Sequence, residues 1–272
     1  MPEIIEVEIT KQKLKSAIQG KRILDFWTDW PRGLISQEGG MKKTTKKLKG
    51  KKINGLSRKG KAVILNLEGH KILAIHQRMS GHMPVNLPEN KHTRFRIFLS
   101  DNTDVSLVDP RKFGVVWYGS EKWFNEQPYI KNLGYDAMSI KRSQLFRILS
   151  NSRSSLKSLL LNQSKIAGLG NIACDEILWR ARLNPLCRSD TLNVREAELL
   201  YKSIYTILAD VLRYGGTSMS NWRHPDGEQG NYQKKFKIYK QKKCVRCKKS
   251  IKSEKIAGRS TYFCKICQPS KI

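Results

Sequence analysis

Four cysteines near the C-terminal end carry the clearest chemical signal in this 272-residue sequence. They form two CxxC pairs with sixteen residues between them: Cys244 and Cys247, then Cys264 and Cys267. This spacing is typical of a tetrahedral site in which four thiolates hold one structural zinc ion. The alternative is a pair of disulfides, which needs an oxidising compartment, and the N-terminal residues lack the pattern of a secretory signal. The spacing therefore predicts one zinc ion, on which the folding of this short module depends.

The N-terminus offers a second reactive group, because the chain begins MPEIIEVEI. Proline is favourable at the start of a helix, where its missing N–H would be unpaired in any case. If Met1 is removed, however, Pro2 becomes a free secondary amine that can act as a nucleophile. The stretch alone leaves both interpretations open.

The charge distribution predicts a polyanionic partner. The net charge is +29, and two runs are strongly basic. Residues 40–62 carry ten Lys or Arg and no acid, and residues 234–272 carry fourteen against the single acid Glu254. A bound polyanion relieves such self-repulsion, so nucleic acid is the first candidate and an anionic membrane surface the second. A merely solvated lysine-rich surface is the alternative for either run. No segment reaches the roughly 18 consecutive apolar residues of a membrane span, so membrane insertion is not predicted. Nucleic acid is preferred over a membrane as the predicted partner.

The first half of the chain predicts a β-rich region that follows one helix. Residues 3–19 have helical character, with Gly20 as a stop. The runs AVILNL and KILAIH, and then RFRIFL and DVSLVD, read as two hairpins. Up to about residue 130 the pattern is that of a sandwich or flattened barrel.

The second half predicts helices and then the cysteine module. SSLKSLLLNQSKI and NIACDEILWRA look helical and are joined by the loop AGLG. A long amphipathic helix begins at Asn193, which can form a capping box with Glu196, and it ends at Gly215-Gly216. The fold class is therefore α+β and multidomain. The predicted boundaries are 1–136 for an N-terminal β-sandwich with its flanking helix, 137–233 for a helical domain, and 234–272 for a zinc ribbon.

Three further motifs have residue types suited to nucleic acid. IAGLGN, at 166–171, places glycines and exposed N–H groups at a helix start, where a phosphate can bind. HQRMSGHM, at 76–83, follows a strand and places Met79 where the chain leaves the sheet. The alternative is that Met79 packs in the core, as methionine often does. DPRKFG, at 109–114, offers a cation and an aromatic ring in one turn, either as a wedge into a base stack or as the edge of a core.

Together these pieces occur in the order and register of one family. RKGK, HQRMSG, DPRKFG, IAGLGN, DEILW and AGRSTYFCKIC make the sequence resemble the formamidopyrimidine-DNA glycosylases, within the wider Fpg/Nei family, nearly end to end. The resemblance implies that the helical domain is a helix–two-turn–helix domain. It also implies a monomeric base-excision-repair enzyme, with DNA glycosylase and AP-lyase activity on double-stranded DNA that contains a damaged base or an abasic site. Such an enzyme is expected in the bacterial cytoplasm, associated with the nucleoid through DNA.

The resemblance also implies the catalytic residues. The amine of Pro2 would attack C1′ of the damaged nucleotide after removal of Met1, and Glu3 would act as the acid and base. Lys61 matches a lysine that contacts phosphate near the lesion and is linked to β-elimination. Arg259 matches the zinc-finger arginine that grips the phosphates of the lesion and is linked to δ-elimination.

The remaining implied residues contact DNA. Extruding a base exposes its glycosidic bond, and a triad would fill the hole that the base leaves. Asn171 would bind phosphate at the helix–two-turn–helix element, and the other positions match residues near the flipped base or along the DNA backbone. The triad is Met79, Arg111 and Phe113; the lesion-recognition residue is Glu6; the other DNA-binding residues are His76, His92, Arg153 and Lys157.

Substrate class is implied by one stretch. GGTSMSNWRHPDGEQGNYQKKFKIY is similar to the full-length loop of Fpg-type enzymes, which favours oxidised purines such as 8-oxoguanine and formamidopyrimidines. Nei-like specificity for oxidised pyrimidines is an alternative. Ile5 and Ala173 depart from the usual proline and aromatic residue, so a divergent member or a non-catalytic DNA-binding paralogue is another alternative. An RNA- or ribosome-associated zinc ribbon would explain the charge and the cysteines but not the other motifs together.

Overall fold

The computed structural model describes residues 2–270. The chain divides into two compact units: Met1–Lys131 with Tyr214–Asn231, and Asn132–Arg213 with Tyr232–Ile272. The segment after the long helix thus packs with the N-terminal residues, which the sequence-based boundaries do not anticipate. The division into three domains stays a prediction.

The first unit contains two sheets and four α-helices among its described residues. In chain order the elements are α1 (Ile4–Ile18), β1 (Ile23–Thr28), β2 (Leu34–Ser36), α2 (Met41–Leu48), β3 (Ile53–Lys59), β4 (Ala62–Leu67), β5 (Lys71–His76), β6 (Thr93–Leu99), β7 (Asp104–Val108), β8 (Val115–Ser120), α3 (Glu121–Asn125) and α4 (Pro128–Lys131). One sheet has the strand order β2-β8-β5-β4-β3, and the other has the order β1-β6-β7. Both predicted hairpins, β4–β5 and β6–β7, are antiparallel neighbours.

The two sheets share one hydrophobic core, as expected for a sandwich. Leu65 and Leu73 of the larger sheet lie in the same buried cluster as Phe95 and Leu107 of the smaller one. Helix α1 adds Leu14 and other buried apolar side chains to this cluster. The predicted N-terminal sandwich with a flanking helix is confirmed.

The prediction of a single helix in this region was wrong. Helix α2 lies within the first basic run, where Thr44 and Leu48 are buried and the lysines of the helix are exposed. Positions four residues apart share one helix face, so two inward side chains suffice to anchor two turns. The short helices α3 and α4 also follow the last strand of the sandwich.

The second unit is mainly helical. Its elements are β9 (Tyr135–Asp136), α5 (Arg142–Ser150), α6 (Leu156–Leu161), β10 (Ile166–Ala167), α7 (Asn171–Arg180), α8 (Val194–Arg213), β11 (Lys252–Ile256) and β12 (Arg259–Phe263). The predicted cap of the long helix is present: Glu196 N donates to Asn193 Oδ1 at 3.0 Å, and Asn193 N donates to Glu196 Oε2 at 2.8 Å. Strands β11 and β12 form an antiparallel hairpin.

Membrane insertion through a helix finds no support in this fold. Within residues 2–270, every helix is too short or too polar to cross a bilayer.

Candidate active site, nucleic-acid interface and metal centre

The start of α1 holds the predicted catalytic residues in a fixed position. Pro2 is buried, and Glu3 is the N-cap of the helix, with only 8% of its surface exposed. Glu3 N donates to Glu6 Oε2 at 2.8 Å, one half of the capping box that the two glutamates form. Ile5 is buried in place of the family proline. Packing and the capping box therefore orient the first turn without a proline at that position. Met1 lies outside the described residues.

Glu6 also joins α1 to the loop that follows the long helix. Its second oxygen, Oε1, accepts a hydrogen bond from Thr217 N at 2.8 Å. Gly216 has a φ of +81°, and a Cβ there would lie about 3 Å from Trp222 and 3.2 Å from Glu6 Oε1. Only glycine suits this backbone and this close approach. The loop predicted to cap the lesion is thus tied to the residue predicted to recognise it.

Burial and the neighbouring Glu3 carboxylate raise the pKa of Glu6 to about 7, although the two N–H donors oppose the shift. Above that pH the carboxylate accepts from both Glu3 N and Thr217 N; below it, a proton on one oxygen competes with one of these donors. We expect the Thr217 or Glu3 amide NMR signal to shift with an inflection near pH 7. Glu6→Gln should remove the inflection, and an inflection near pH 4.5 in the wild type would contradict this prediction.

Lys61 lies in the turn between β3 and β4 and is 5% exposed. A residue that the sequence analysis did not select shapes this turn. Arg58 donates from Nη1 to Gly60 O at 2.8 Å and from Nε to Glu8 Oε2 at 3.1 Å. Glu8 belongs to α1, so the helix that carries Glu3 also anchors the turn of Lys61.

The structure brings the predicted hole-filling triad together. Arg111 Nη1 is 3.7 Å from Met79 Sδ, and the Arg111 guanidinium lies 4.6 Å from the centroid of the Phe113 ring. Phe113 is 46% exposed, so its ring is accessible and suits a wedge into a base stack.

Asp109 builds this triad, and the sequence analysis did not single it out. Its carboxylate is fully buried, and Oδ2 accepts from Phe113 N and Gly114 N at 2.7 Å each. Oδ1 accepts from Arg111 N at 3.2 Å and from Ser80 Oγ of the MSG motif. One buried acid therefore links the loop of DPRKFG to the loop of MSG.

His76 is placed differently from the expectation of a DNA contact. It is 4% exposed, and Nδ1 accepts from Arg78 N at 2.9 Å. The ring proton is therefore on Nε2, which lies 3.0 Å from Tyr129 Oη. Burial, and then the charges of Arg78 and Lys61, lower the pKa of His76 to about 3. Both ring nitrogens face protein partners in this structure, and the contact between His76 and the DNA backbone stays a prediction. His92 is partly exposed.

Lys157 is also buried, although its predicted contact is with DNA. Its side chain is fully buried, and Nζ contacts Asp175 Oδ1 at 2.6 Å and Asn171 O at 2.9 Å. Asp175 Oδ2 in turn accepts from Tyr262 N of β12 at 3.1 Å. Burial raises the pKa of Asp175 to about 6, and the Lys157 ammonium opposes that rise. In this structure Lys157 therefore joins α6, α7 and, through Asp175, β12, and its predicted contact with DNA stays a prediction.

Asn171 and Arg259 are close neighbours within the second unit. Asn171 is the first residue of α7, and its Nδ2 donates to Ser260 O at 2.9 Å. Ser260 follows Arg259, which is exposed at the end of the β11–β12 turn. Ala257 and Gly258 form that turn with φ values of +50° and +73°, as a two-residue hairpin requires. Arg153 is exposed just before α6.

The four predicted zinc ligands converge on one point. Their sulfurs lie within 4.8 Å of one another, with Cys244–Cys267 at 3.8 Å and Cys247–Cys264 at 3.4 Å. Zn–S bonds of about 2.3 Å in a tetrahedron place sulfurs about 3.8 Å apart, whereas a disulfide needs about 2 Å. The donor set and spacing therefore fit zinc.

Two residues of the DEILW motif attach this module to α7. The Glu176 carboxylate accepts backbone N–H groups from Lys237, Ile238 and Tyr239 at 3.0–3.1 Å. Trp179 Nε1 donates to Cys244 Sγ at 3.4 Å, which favours the thiolate that binds metal. The motif thus fixes the cysteine module against the helix that begins with Asn171.

Comparison with known proteins agrees with this arrangement. Residues 1–116 match the family model of the formamidopyrimidine-DNA glycosylase N-terminal domain, residues 133–222 match its H2TH domain, and residues 241–269 match a zinc finger found in FPG and IleRS. The last match, with the four-cysteine cluster, assigns one structural zinc ion to this chain.

Full-length relatives carry the same name. The formamidopyrimidine-DNA glycosylase of Heliobacterium modesticaldum is 36% identical over 98% of this chain and 100% of its own length. That of Pelotomaculum thermopropionicum is 34% identical over the whole of both chains. The crystal structure of MutM (Fpg) from Thermus thermophilus has a TM-score of 0.89 and 32% identity over both whole chains. Lactococcus lactis Fpg, in complex with DNA that contains an abasic site, has a TM-score of 0.90 and 30% identity over 98% of this chain and all of its own.

Proposed function

Since this chain belongs to the formamidopyrimidine-DNA glycosylase family, we propose that it excises oxidised purines from duplex DNA and then cleaves the strand at the abasic site. It is a DNA glycosylase of base-excision repair. The proposal adds the lyase step and the preference for oxidised purines. The Lactococcus lactis relative has been solved with DNA that contains an abasic site, and a mutant of it with DNA that contains Fapy-dG.

The proposed chemistry begins at the amine of Pro2, after removal of Met1. The amine attacks C1′ as the glycosidic bond breaks, and the electron pair of that bond leaves with the base. Glu3 supplies the proton that the leaving base or the sugar ring oxygen needs. Loss of the amine proton and opening of the ring give an iminium at C1′. Its positive nitrogen then accepts electrons when a proton leaves C2′ and the C3′–O bond breaks. Lys61 and Arg259 are proposed to assist the β- and δ-eliminations.

The proposed DNA contacts are assigned within each unit separately. Met79, Arg111 and Phe113 are assigned to the space that the flipped base leaves, and Asn171 and Arg259 to phosphates. Lys157 is assigned to positioning, since its ammonium is used by Asp175. We further propose three domains with boundaries near residues 136 and 233, and a cytoplasmic location in contact with the nucleoid.

One observation carries the proposal most directly. Glu3 is held at the start of α1 by a glutamate whose other oxygen binds Thr217 of the capping loop. A helix cap alone needs no such link to a distant loop. In the proposed site, the link joins the catalytic start of α1 to the loop assigned to cover the lesion.

The test uses the processed chain on two duplexes, one with 8-oxoguanine opposite cytosine and one with an abasic site, each with added borohydride. We expect base release and a covalent band on the first duplex, and a band on the second. Both bands should disappear when Met1 is retained, because the amine is then part of a peptide bond.

The other outcomes separate the alternatives. A band on the abasic duplex alone would support the lyase activity and contradict 8-oxoguanine as the substrate. Oxidised pyrimidines would then be the next lesions to test. No band on either duplex, with binding intact, overturns the proposal in favour of a non-catalytic DNA-binding paralogue.

A further inference from the structure

A histidine and two carboxylates lie together in the loop of the first unit, away from the four cysteines. His224, Asp226 and Glu228 each offer one ligand atom, and these three atoms lie within 4.8 Å of one another. A tight turn holds them, with Gly227 N donating to His224 O and His224 N donating to Glu228 O, both at 2.9 Å. We call these three residues the His224 cluster.

The imidazole of His224 is set up as a metal ligand. Its Nε2 lies 2.7 Å from Gly215 O, which can only accept, so the ring proton is on Nε2. Nδ1 then carries a lone pair, is buried, and has no hydrogen-bond partner among the described residues. Histidines that bind metals usually donate their other ring N–H to a carboxylate or a backbone carbonyl in this way. His224 is 6% exposed, and its Nδ1 is directed toward Glu228 Oε2 at 3.9 Å.

The carboxylates already attract a cation. Lys13 of α1 extends its ammonium to Asp226 Oδ2, and it reaches Glu228 Oε2 at 3.3 Å. Asp226 Oδ1 accepts from Glu228 N at 3.2 Å, which orients the Asp226 side chain. The lysine contacts the two oxygens but not the Nδ1 lone pair. The cluster therefore offers one more ligand than the ammonium uses.

We propose that the His224 cluster binds one divalent transition-metal ion such as Zn²⁺ or Co²⁺. The ligands are Nδ1 of His224 and one carboxylate oxygen each from Asp226 and Glu228, and Lys13 is the built-in competitor. One imidazole nitrogen and two carboxylate oxygens suit Zn²⁺ and Co²⁺, with water completing the coordination. The site is distinct from the structural zinc and needs no DNA and no catalysis. When filled, it joins the two carboxylates to His224, which is already hydrogen-bonded to Gly215 O.

The probe is Co²⁺, added to the full zinc-loaded chain and followed by titration calorimetry, with metal counting after dialysis. We expect one zinc to be retained and one Co²⁺ to bind in addition. His224→Gln, Asp226→Asn and Glu228→Gln should each weaken the binding of this Co²⁺ at least tenfold. His70→Gln is the matched control, since His70 is exposed in the β4–β5 turn and should leave binding unchanged.

Lys13→Gln gives the sharpest result. Removing the competing ammonium should tighten Co²⁺ binding by roughly fivefold or more, the effect of one exposed ion pair that no longer has to be broken. The two carboxylate variants are at exposed positions, so the test does not depend on whether the buried His224→Gln variant folds. The proposal is overturned if no additional Co²⁺ binds to the wild type, if binding survives any of the three ligand substitutions, or if Lys13→Gln weakens it.

Discussion

Replacing Glu3 with glutamine is expected to slow the release of 8-oxoguanine by about 10²–10⁴-fold, the usual contribution of a general acid or base. Glutamine has nearly the same shape but cannot give a proton to the leaving base. The Pro2 amine remains, so the borohydride-trapped band on a preformed abasic duplex should persist. Single-turnover base release and the trapped band are measured on the same preparation.

A structural role for Glu3 would give another pattern. Glu3 is the N-cap of α1, and an N-cap side chain typically contributes about 1 kcal/mol to the free energy of unfolding. Thermal melting of Glu3→Gln should therefore stay close to the wild type. Glu68→Gln, at an exposed carboxylate paired with Arg22, is the control and should change neither rate nor band. Loss of the melting transition together with both activities would argue that Glu3 acts through the fold.

Elements with a strong local pattern were predictable. Helix α1 and the hairpins β4–β5 and β6–β7 are continuous runs bounded by turn residues, and each lies within a residue or two of its predicted place. Helix α2 was missed because its apolar face consists of few residues within a run of lysines. The family, the sandwich and the zinc cluster were also accessible, since motif order and CxxC spacing survive at about one-third identity.

The buried residues that position the site could not be predicted from the sequence, for a physical reason. A buried carboxylate such as Asp109 or Glu176 is identified by the backbone N–H groups that it accepts, and those come from loops that only the fold brings near. The sequence shows the acid in DPRKFG or DEILW but not its partners. His76 and Lys157 show the opposite case. A basic residue type suggests a position at the surface, and only the structure reveals that the side chain is buried beside a protein partner.

Replacing Lys157 is expected to cause a large loss of folding stability. Lys157→Met is expected to lower the free energy of unfolding by about 3–5 kcal/mol, because it leaves the Asp175 carboxylate buried without its cation. The double variant Lys157→Met/Asp175→Asn should recover much of this loss, since asparagine is neutral and its oxygen can still accept from Tyr262 N. Denaturant unfolding of the zinc-loaded chain measures both variants.

DNA binding separates this positioning role from a direct phosphate contact. Each phosphate contact contributes about 0.9 to the slope of log K against log salt, so losing one flattens the slope by that amount. Under conditions where the double variant is folded, its slope should equal that of the wild type. Arg153→Met is the matched control at an exposed cation, and should flatten the slope with stability unchanged. A flattened slope with normal stability in Lys157→Met would mean that Lys157 leaves Asp175 for the DNA. The buried pair would then be a resting arrangement of the free protein. The link from α7 to the Arg259 hairpin would then depend on the Asp175–Tyr262 and Asn171–Ser260 hydrogen bonds without Lys157.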